Sequence, residues 1–178
     1  RYERPQAGRL RQFYQIGVEA MGSSNPVIDV EVMTLLIEFF SELGLDEMQL
    51  QINSLGNQNC RPQYRETLKS AVEKHLDNLC KNCITRYEKN PLRVLDCKSE
   101  QCQKIAQGLP KMVDHLDKIS QEHFDEVQSL LDISKIPYTI NTNLVRGLDY
   151  YNMTAFEVTS NKLGAQNAIC GGGRYDTL

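Results

Sequence analysis

The stretch Met48-Gln49-Leu50-Gln51-Ile52-Asn53-Ser54-Leu55-Gly56-Asn57 decides the fold class. Apolar Met48, Leu50 and Ile52 alternate with Gln49, Gln51 and Asn53, the period-two pattern of a half-buried strand. Ser54 to Asn57 is turn-like, and the character of the chain changes after it. Upstream, Asp29 to Leu43 sets Val32, Leu36, Phe39, Phe40 and Leu43 at helical spacing, with Gly44 as a fitting stop. Downstream, from about Arg61 to Lys135, the chain is charged and helical. Tyr64, Leu68, Ala71, Val72, Leu76 and Leu79 line one helix face. Phe124, Val127, Leu130 and Leu131 line another, begun by a cap at Ser120 and ended before Pro137. Strand patterning returns at Tyr138-Thr139-Ile140, Thr154 to Thr159 and Ala168-Ile169-Cys170. Sheet, helices and sheet in that order predict an α+β fold: an antiparallel-rich core interrupted by a mainly helical insertion. The expected division is residues 1–59 and 138–178 for the core and 60–137 for the insertion.

Composition bounds the function. With 40% hydrophobic and 24% charged residues, the chain reads as an ordinary globular domain. No apolar run approaches the ~20 residues of a membrane span. Lys and Arg number 20 against 23 Asp and Glu, so a formal charge of −3 argues against binding a polyanion by bulk charge. Any nucleic-acid contact must rest on local patches. The ends, Arg1-Tyr2-Glu3-Arg4 and Arg174-Tyr175-Asp176-Thr177-Leu178, carry no initiator Met and no signal peptide. Both read as cut from folded structure, and a longer protein is expected. Cysteines at Cys60, Cys80, Cys83, Cys97, Cys102 and Cys170 without a secretory leader suggest reduced thiols and a cytoplasmic location.

Several constellations carry chemistry. Pro5-Gln6-Ala7-Gly8 followed by Leu10 to Val18 predicts a hairpin. It holds Arg1, Arg4, Arg9 and Arg11 against the single acid Glu3, and guanidinium forks suit a polyphosphate. Phe13, four residues past Arg9, lies where it could stack on a base. A merely solvated basic hairpin would have the same composition. Leu144-Val145-Arg146-Gly147-Leu148-Asp149-Tyr150-Tyr151 packs a guanidinium, a carboxylate and two phenols into eight residues. Its plainer reading pairs Arg146 with Asp149 and leaves the tyrosines in the sheet. In Cys170-Gly171-Gly172-Gly173-Arg174-Tyr175-Asp176, three glycines admit close backbone approach to a ligand. Cys80, Cys83, Cys97 and Cys102 read C-x2-C-x13-C-x4-C; the first pair has zinc-knuckle spacing and the second is looser. They are candidates for a tetrahedral metal site or for ordinary small thiols. His75, His115 and His123 stand singly and read as surface or packing residues, and Met21, Met33, Met48, Met112 and Met153 as core filling.

These residues also carry a resemblance. Arg1-Tyr2-Glu3, a loop and Arg9-x-x-x-Phe13 resemble motif 2 of class II aminoacyl-tRNA synthetases. Arg146 to Tyr151 and Cys170 to Asp176 are similar to two signatures of the histidyl-tRNA synthetases. The likeness covers essentially the whole chain and implies a class II sheet core. It further implies an enzyme that activates histidine with ATP and Mg and transfers it to tRNA(His), as a homodimer in the full-length protein. Arg1 and Arg146 would then be catalytic, on opposite sides of the α-phosphate. Arg9 and Arg11 would hold the outer phosphates, and Glu3 and Phe13 would seat adenine. Gln15, Glu19, Arg146, Tyr150, Tyr151, Gly171, Gly172, Gly173 and Tyr175 would form the histidine pocket. Similar synthetases without the four cysteines imply that zinc is not required for the fold. The insertion is implied to meet the tRNA acceptor stem, with Lys69, Lys74, Lys81, Arg86, Lys89 and Arg93 as candidates for phosphate contact. The alternative is a synthetase-like regulatory paralogue that partners an ATP phosphoribosyltransferase in histidine biosynthesis. Such paralogues tend to lose the Arg signature and the insertion, and both are intact here. Because motifs 1 and 3 of the class lie outside these residues, the chain by itself is expected to be inactive or feeble.

Overall fold

The computed structural model describes residues 11–160, 162 and 167–178. Its helices are α1 (Pro26–Glu42), α2 (Arg61–Glu73), α3 (Lys81–Lys89), α4 (Glu100–Gln107) and α5 (Lys118–Ile133). Its strands are β1 (Met48–Ser54), β2 (Tyr138–Ile140), β3 (Asn152–Ser160) and β4 (Ala168–Arg174). All four strands join one sheet in the order β2-β1-β3-β4. The β1–β3 and β3–β4 ladders are antiparallel, as the patterning implies. The β1–β2 ladder is parallel, so the sheet is mixed. A parallel neighbour needs a long crossover, and the run from α2 to α5 supplies it.

Leu50 and Ile52 of β1 share a sheet face with Phe156 and Val158 of β3, and α1 and α5 cover that face with Val30, Met33, Phe124, Val127 and Leu131. Helix α5 therefore lies with α1 in the helical layer against the sheet. A second core lies within residues 60–112, built on Tyr64, Leu68 and Val72 of α2, Cys83 of α3, Val94, and Cys102 and Ala106 of α4. Tyr64, Leu68, Ala71 and Val72 keep the helical face read from the sequence, but α2 ends at Glu73, so Leu76 lies in a following 3-10 turn and Leu79 just beyond it. On β1 the simple alternation stops at Ile52, because Asn53 and Ser54 are buried as well. The chain at Leu144 covers them, and Asn53 Nδ2 donates to the Leu144 carbonyl at 2.9 Å.

Local details depart from expectation for identifiable reasons. Helix α1 begins at Pro26 rather than near Asp29: Asn25 caps it by accepting from the Val27 N–H, and proline at N1 lacks only a donor that would be orphaned anyway. Helix α5 is capped by Asp117, whose carboxylate accepts from the Ser120 N–H; Ser120 lies within the first turn. Residues 11–18, the described part of the expected hairpin, form no strand, since no ladder partner faces them among the described residues. Met21 is exposed, whereas Met33, Met112 and Met153 are buried.

One polar knot ties the sheet body together. Arg174 of β4 forks onto the Asp29 carboxylate of α1, with Nη2 to Oδ1 at 2.6 Å and Nε to Oδ1 at 3.0 Å. His123 Nε2 of α5 lies 2.8 Å from Asp29 Oδ2, and Thr154 Oγ1 of β3 donates to the same oxygen at 2.6 Å. The side chains of Arg174, His123 and Asp29 are 7%, 8% and 9% exposed. Burial raises the Asp29 carboxyl, but hydrogen bonds from His123, Arg174 and Thr154 outweigh it and hold the group below its ordinary value.

Candidate functional site

The site grows from an irregularity in β3. Met153 has a φ of 47°, and the register against β4 shifts between Asn152 and Ala155. Such a bulge re-aims the residues beside it. The turn is held by the two residues after β1: the Met153 N–H donates to the Gly56 carbonyl at 2.8 Å, and its own carbonyl accepts from the Leu55 N–H at 2.6 Å. Tyr150 and Tyr151, just before the bulge, bring their ring centroids to 4.6 Å. Tyr175 stands edge-on to both, at 5.7 Å from Tyr150 and 6.2 Å from Tyr151. Its hydroxyl donates to the Glu19 carboxylate. That hydrogen bond, reinforced by burial and by the Glu19 charge, pushes the Tyr175 phenol up to about 12.

Arg146 faces this aromatic group. Its guanidinium carbon lies 5.8 Å from the Tyr151 ring centroid, within cation–π range, and Nη1 donates to Glu157 Oε2 at 3.3 Å. The side chain is 22% exposed. Its Nε is buried without a hydrogen-bond partner among the described residues. β4 admits the guanidinium because it has no side chain there: a Cβ at Gly171 would sit 2.4 Å from Arg146 Nη1. At Gly173 a Cβ would meet the Thr154 carbonyl at 2.7 Å and the Tyr151 ring at 3.0 Å. The residue between Gly173 and Tyr175 does the reverse. Arg174 points to the helix-covered face and joins the Asp29 knot, so one short signature serves both faces of the sheet.

A cavity of about 1660 Å³ opens along β4, and Phe13, Gln15, Glu19, Arg146, Tyr150, Tyr151, Gly171, Gly172, Gly173 and Tyr175 all line it. Ten positions singled out from the sequence thus converge on one space. Phe13 is 68% exposed there. Arg11 is described but is not part of this lining. Arg1, Glu3 and Arg9 lie outside the described residues.

Other functional contacts escaped the sequence. Arg146 pairs with Glu157 and not with Asp149, whose carboxylate instead accepts from Asn90. Glu157 is the one charged residue within the strand Asn152–Ser160, and a lone charge in a buried strand calls for a partner; that signal was available. Arg61 of α2 donates through Nη1 to the Tyr151 carbonyl at 2.6 Å and through Nη2 to the Asp149 carbonyl at 3.5 Å. Nothing local marks Arg61 or Asn90 for this task. His123, expected to be a surface or packing residue, is a buried member of the Asp29 knot. Apart from this site, the thiols of Cys80, Cys83, Cys97 and Cys102 lie within 4.8 Å of one another and could hold a metal ion. Among the described residues, no helix is long and apolar enough to cross a membrane.

The chain is similar to known proteins over its whole length. The family model described as "Histidyl-tRNA synthetase" matches residues 1–178. A "Histidine--tRNA ligase" of Desulfitobacterium hafniense is 52% identical over 178 residues, all of this chain and 42% of that protein. One of Geobacter metallireducens is 53% identical, again over all of this chain and over 43% of its own length. Among solved structures, apo histidyl-tRNA synthetase of S. aureus matches with a TM-score of 0.66 and 34% identity, across 88% of this chain and 38% of that one. The chain spans less than half the length of the curated relatives it matches.

Proposed function

We propose, on the premise that the chain belongs to the histidyl-tRNA synthetase family, that the protein carrying it is a histidine–tRNA ligase. It activates histidine with ATP, taken as the Mg complex, releases pyrophosphate and passes the histidyl group to tRNA(His). The observation that carries this reading is Arg146. Its guanidinium is seated between Glu157, the Tyr151 ring and the bare backbone of Gly171, beside a cavity lined by Glu19, Tyr150 and Tyr175. Attack of a carboxylate on the α-phosphorus needs little covalent help; positioning and charge neutralisation dominate. Arg146 neutralises charge on one side of the α-phosphate and meets the histidine carboxylate. Arg1 does the same from the other side, with Arg9 and Arg11 on the outer phosphates and Glu3 and Phe13 at adenine.

Recognition of the amino acid rests on polar complementarity. Glu19 and Tyr151 read the two imidazole nitrogens, Gln15 takes the amino group, and Tyr150, Tyr175 and the glycines Gly171 to Gly173 shape the floor. A pocket with that many polar groups rejects apolar look-alikes strongly, because its own donors and acceptors would go unpaired. Cytoplasmic location and a homodimer belong to the same reading. So does the division at residues 59/60 and 137/138, which counts α5 with the insertion although its apolar side chains pack on the sheet.

The test is Arg146→Ala in the full-length protein. Histidine-dependent ATP–pyrophosphate exchange should fall by about 10²–10³ while the far-ultraviolet circular dichroism stays unchanged, as expected for one preorganised charge lost at a transition state. Near-normal exchange in the variant would refute the role. Absence of exchange in the unaltered protein would refute the function and restore the regulatory alternative.

A further inference from the structure

The synthetase reading makes no use of the four thiols in the insertion. We propose that Cys80, Cys83, Cys97 and Cys102 bind one zinc ion as four thiolates.

The first support is geometric. All four Sγ atoms lie within 4.8 Å of one another, and Cys80 Sγ is 3.8 Å from Cys97 Sγ. A zinc–sulfur bond of about 2.3 Å in a tetrahedron sets sulfurs about 3.8 Å apart, so a single ion fits the set with little adjustment. A four-iron cluster would hold its cysteines farther apart, each on a different iron. Cys60 and Cys170 stand outside the group, so the convergence is selective.

Two backbone donors are aimed at the sulfurs. The Cys80 N–H points at Cys102 Sγ at 3.3 Å, and the Ser99 N–H at Cys97 Sγ at 3.5 Å. Amide donors aimed at metal-bound sulfur orient the ligand and offset its charge. Binding expels four thiol protons to solvent and leaves a Zn(S-Cys)₄ centre of net charge −2, so uptake strengthens as pH rises.

The fold supplies a reason. The ligands come from the residue before α3, from α3 itself, from the segment after the 3-10 turn Pro91–Val94, and from α4. Helices α3 and α4 have only nine and eight residues, lengths that are marginal without tertiary support. Small bodies of this kind commonly take a metal or a cross-link as a staple. Incidental buried thiols need not converge; here four residues from separate elements aim at one point.

Metal analysis of the full-length protein, purified without chelator, decides the matter. The expected result is about one zinc per chain. Zinc below about 0.2 per chain, or iron in its place, overturns the proposal. Cys60→Ser should keep the full zinc content, whereas Cys80→Ser and Cys102→Ser should each lose it; zinc retained at full content in either would overturn the assignment. Because the latter variants could fail to fold, cobalt exchange into the unaltered protein gives an independent reading. Strong visible bands with sulfur-to-cobalt charge transfer mark a tetrahedral thiolate site. The weak spectrum of octahedral cobalt would count against it.

Discussion

Around Asp29 the sheet body gathers a guanidinium, an imidazole and a hydroxyl onto one carboxylate, from four elements. Around Cys97 the insertion gathers thiols from a span of 23 residues, Cys80 to Cys102. The two regions close loops of very different length. The knot joins residues 29, 123, 154 and 174, so it fixes the chain's long-range path. The thiols close short loops, whose ends meet at small entropic cost. The difference also sets how each region fails. A buried carboxylate stripped of its partner is an uncompensated charge. An apolar cluster with thiols loses packing and leaves no such charge behind. The regions touch through Arg61 and Asn90, which hold the backbone and side chain of the 149–151 segment.

The sharpest way to test the contrast is Arg174→Ala. It leaves the buried Asp29 carboxylate with only His123 and the Thr154 hydroxyl as partners, and should destabilise the protein by about 3–5 kcal/mol in urea unfolding. A loss under about 1 kcal/mol would show that the knot is no more than a surface ion pair. Acid should act on the same region. Asp29 is held below its ordinary value of about 3.9, so its contribution is full above that value and is lost as pH falls through the folded one. Urea midpoints measured between about pH 5 and pH 2 should therefore drop more for the unaltered protein than for Asp29→Asn. Parallel curves would break this link.

At the junction, Arg61→Ala should act on function more than on stability. On the proposed assignment it raises the KM for histidine about tenfold, the scale of one charged hydrogen bond to a backbone carbonyl, with kcat less affected. Equal losses in both constants would make Arg61 merely structural. The smallest expected effect is local: Asn25→Ala removes the α1 cap and should cost about 1 kcal/mol by the same urea assay. It measures what an ordinary device is worth in the region that the knot secures.

Much of this was legible in the chain itself. Periodicity exposed α1, β1, the buried face of α2 and the sheet–helices–sheet order, because those signals are local and repeat within a few residues. The ten pocket-lining positions were named through the resemblance to synthetase motifs. The parallel β1–β2 ladder was not readable, since direction depends on where the chain re-enters after its crossover. Nor were the partners of Arg146 and Asp149: the adjacent charges within the motif suggested each other, but three-dimensional packing gave them Glu157 and Asn90. Arg174 stood in the second signature without a role of its own, and a one-residue step along β4 turns it from the face of Gly173 to Asp29. Ser120 lost the capping role to Asp117, three residues earlier, which only the course of the backbone could decide.

The bare stretch of β4 has a consequence for what this chain can become. Any side chain at position 171 would collide with Arg146 Nη1 at 2.4 Å and press on the Phe156 carbonyl at 3.0 Å. Shortening Arg146 would relieve the first collision but surrender the guanidinium. A side chain at 171 therefore displaces the guanidinium tip from its seat, and a compensating pair that shortens residue 146 gives up the guanidinium fork. The two positions form a locked pair: laboratory evolution selecting for ligase activity should leave both untouched, while selection for folding alone should free them together.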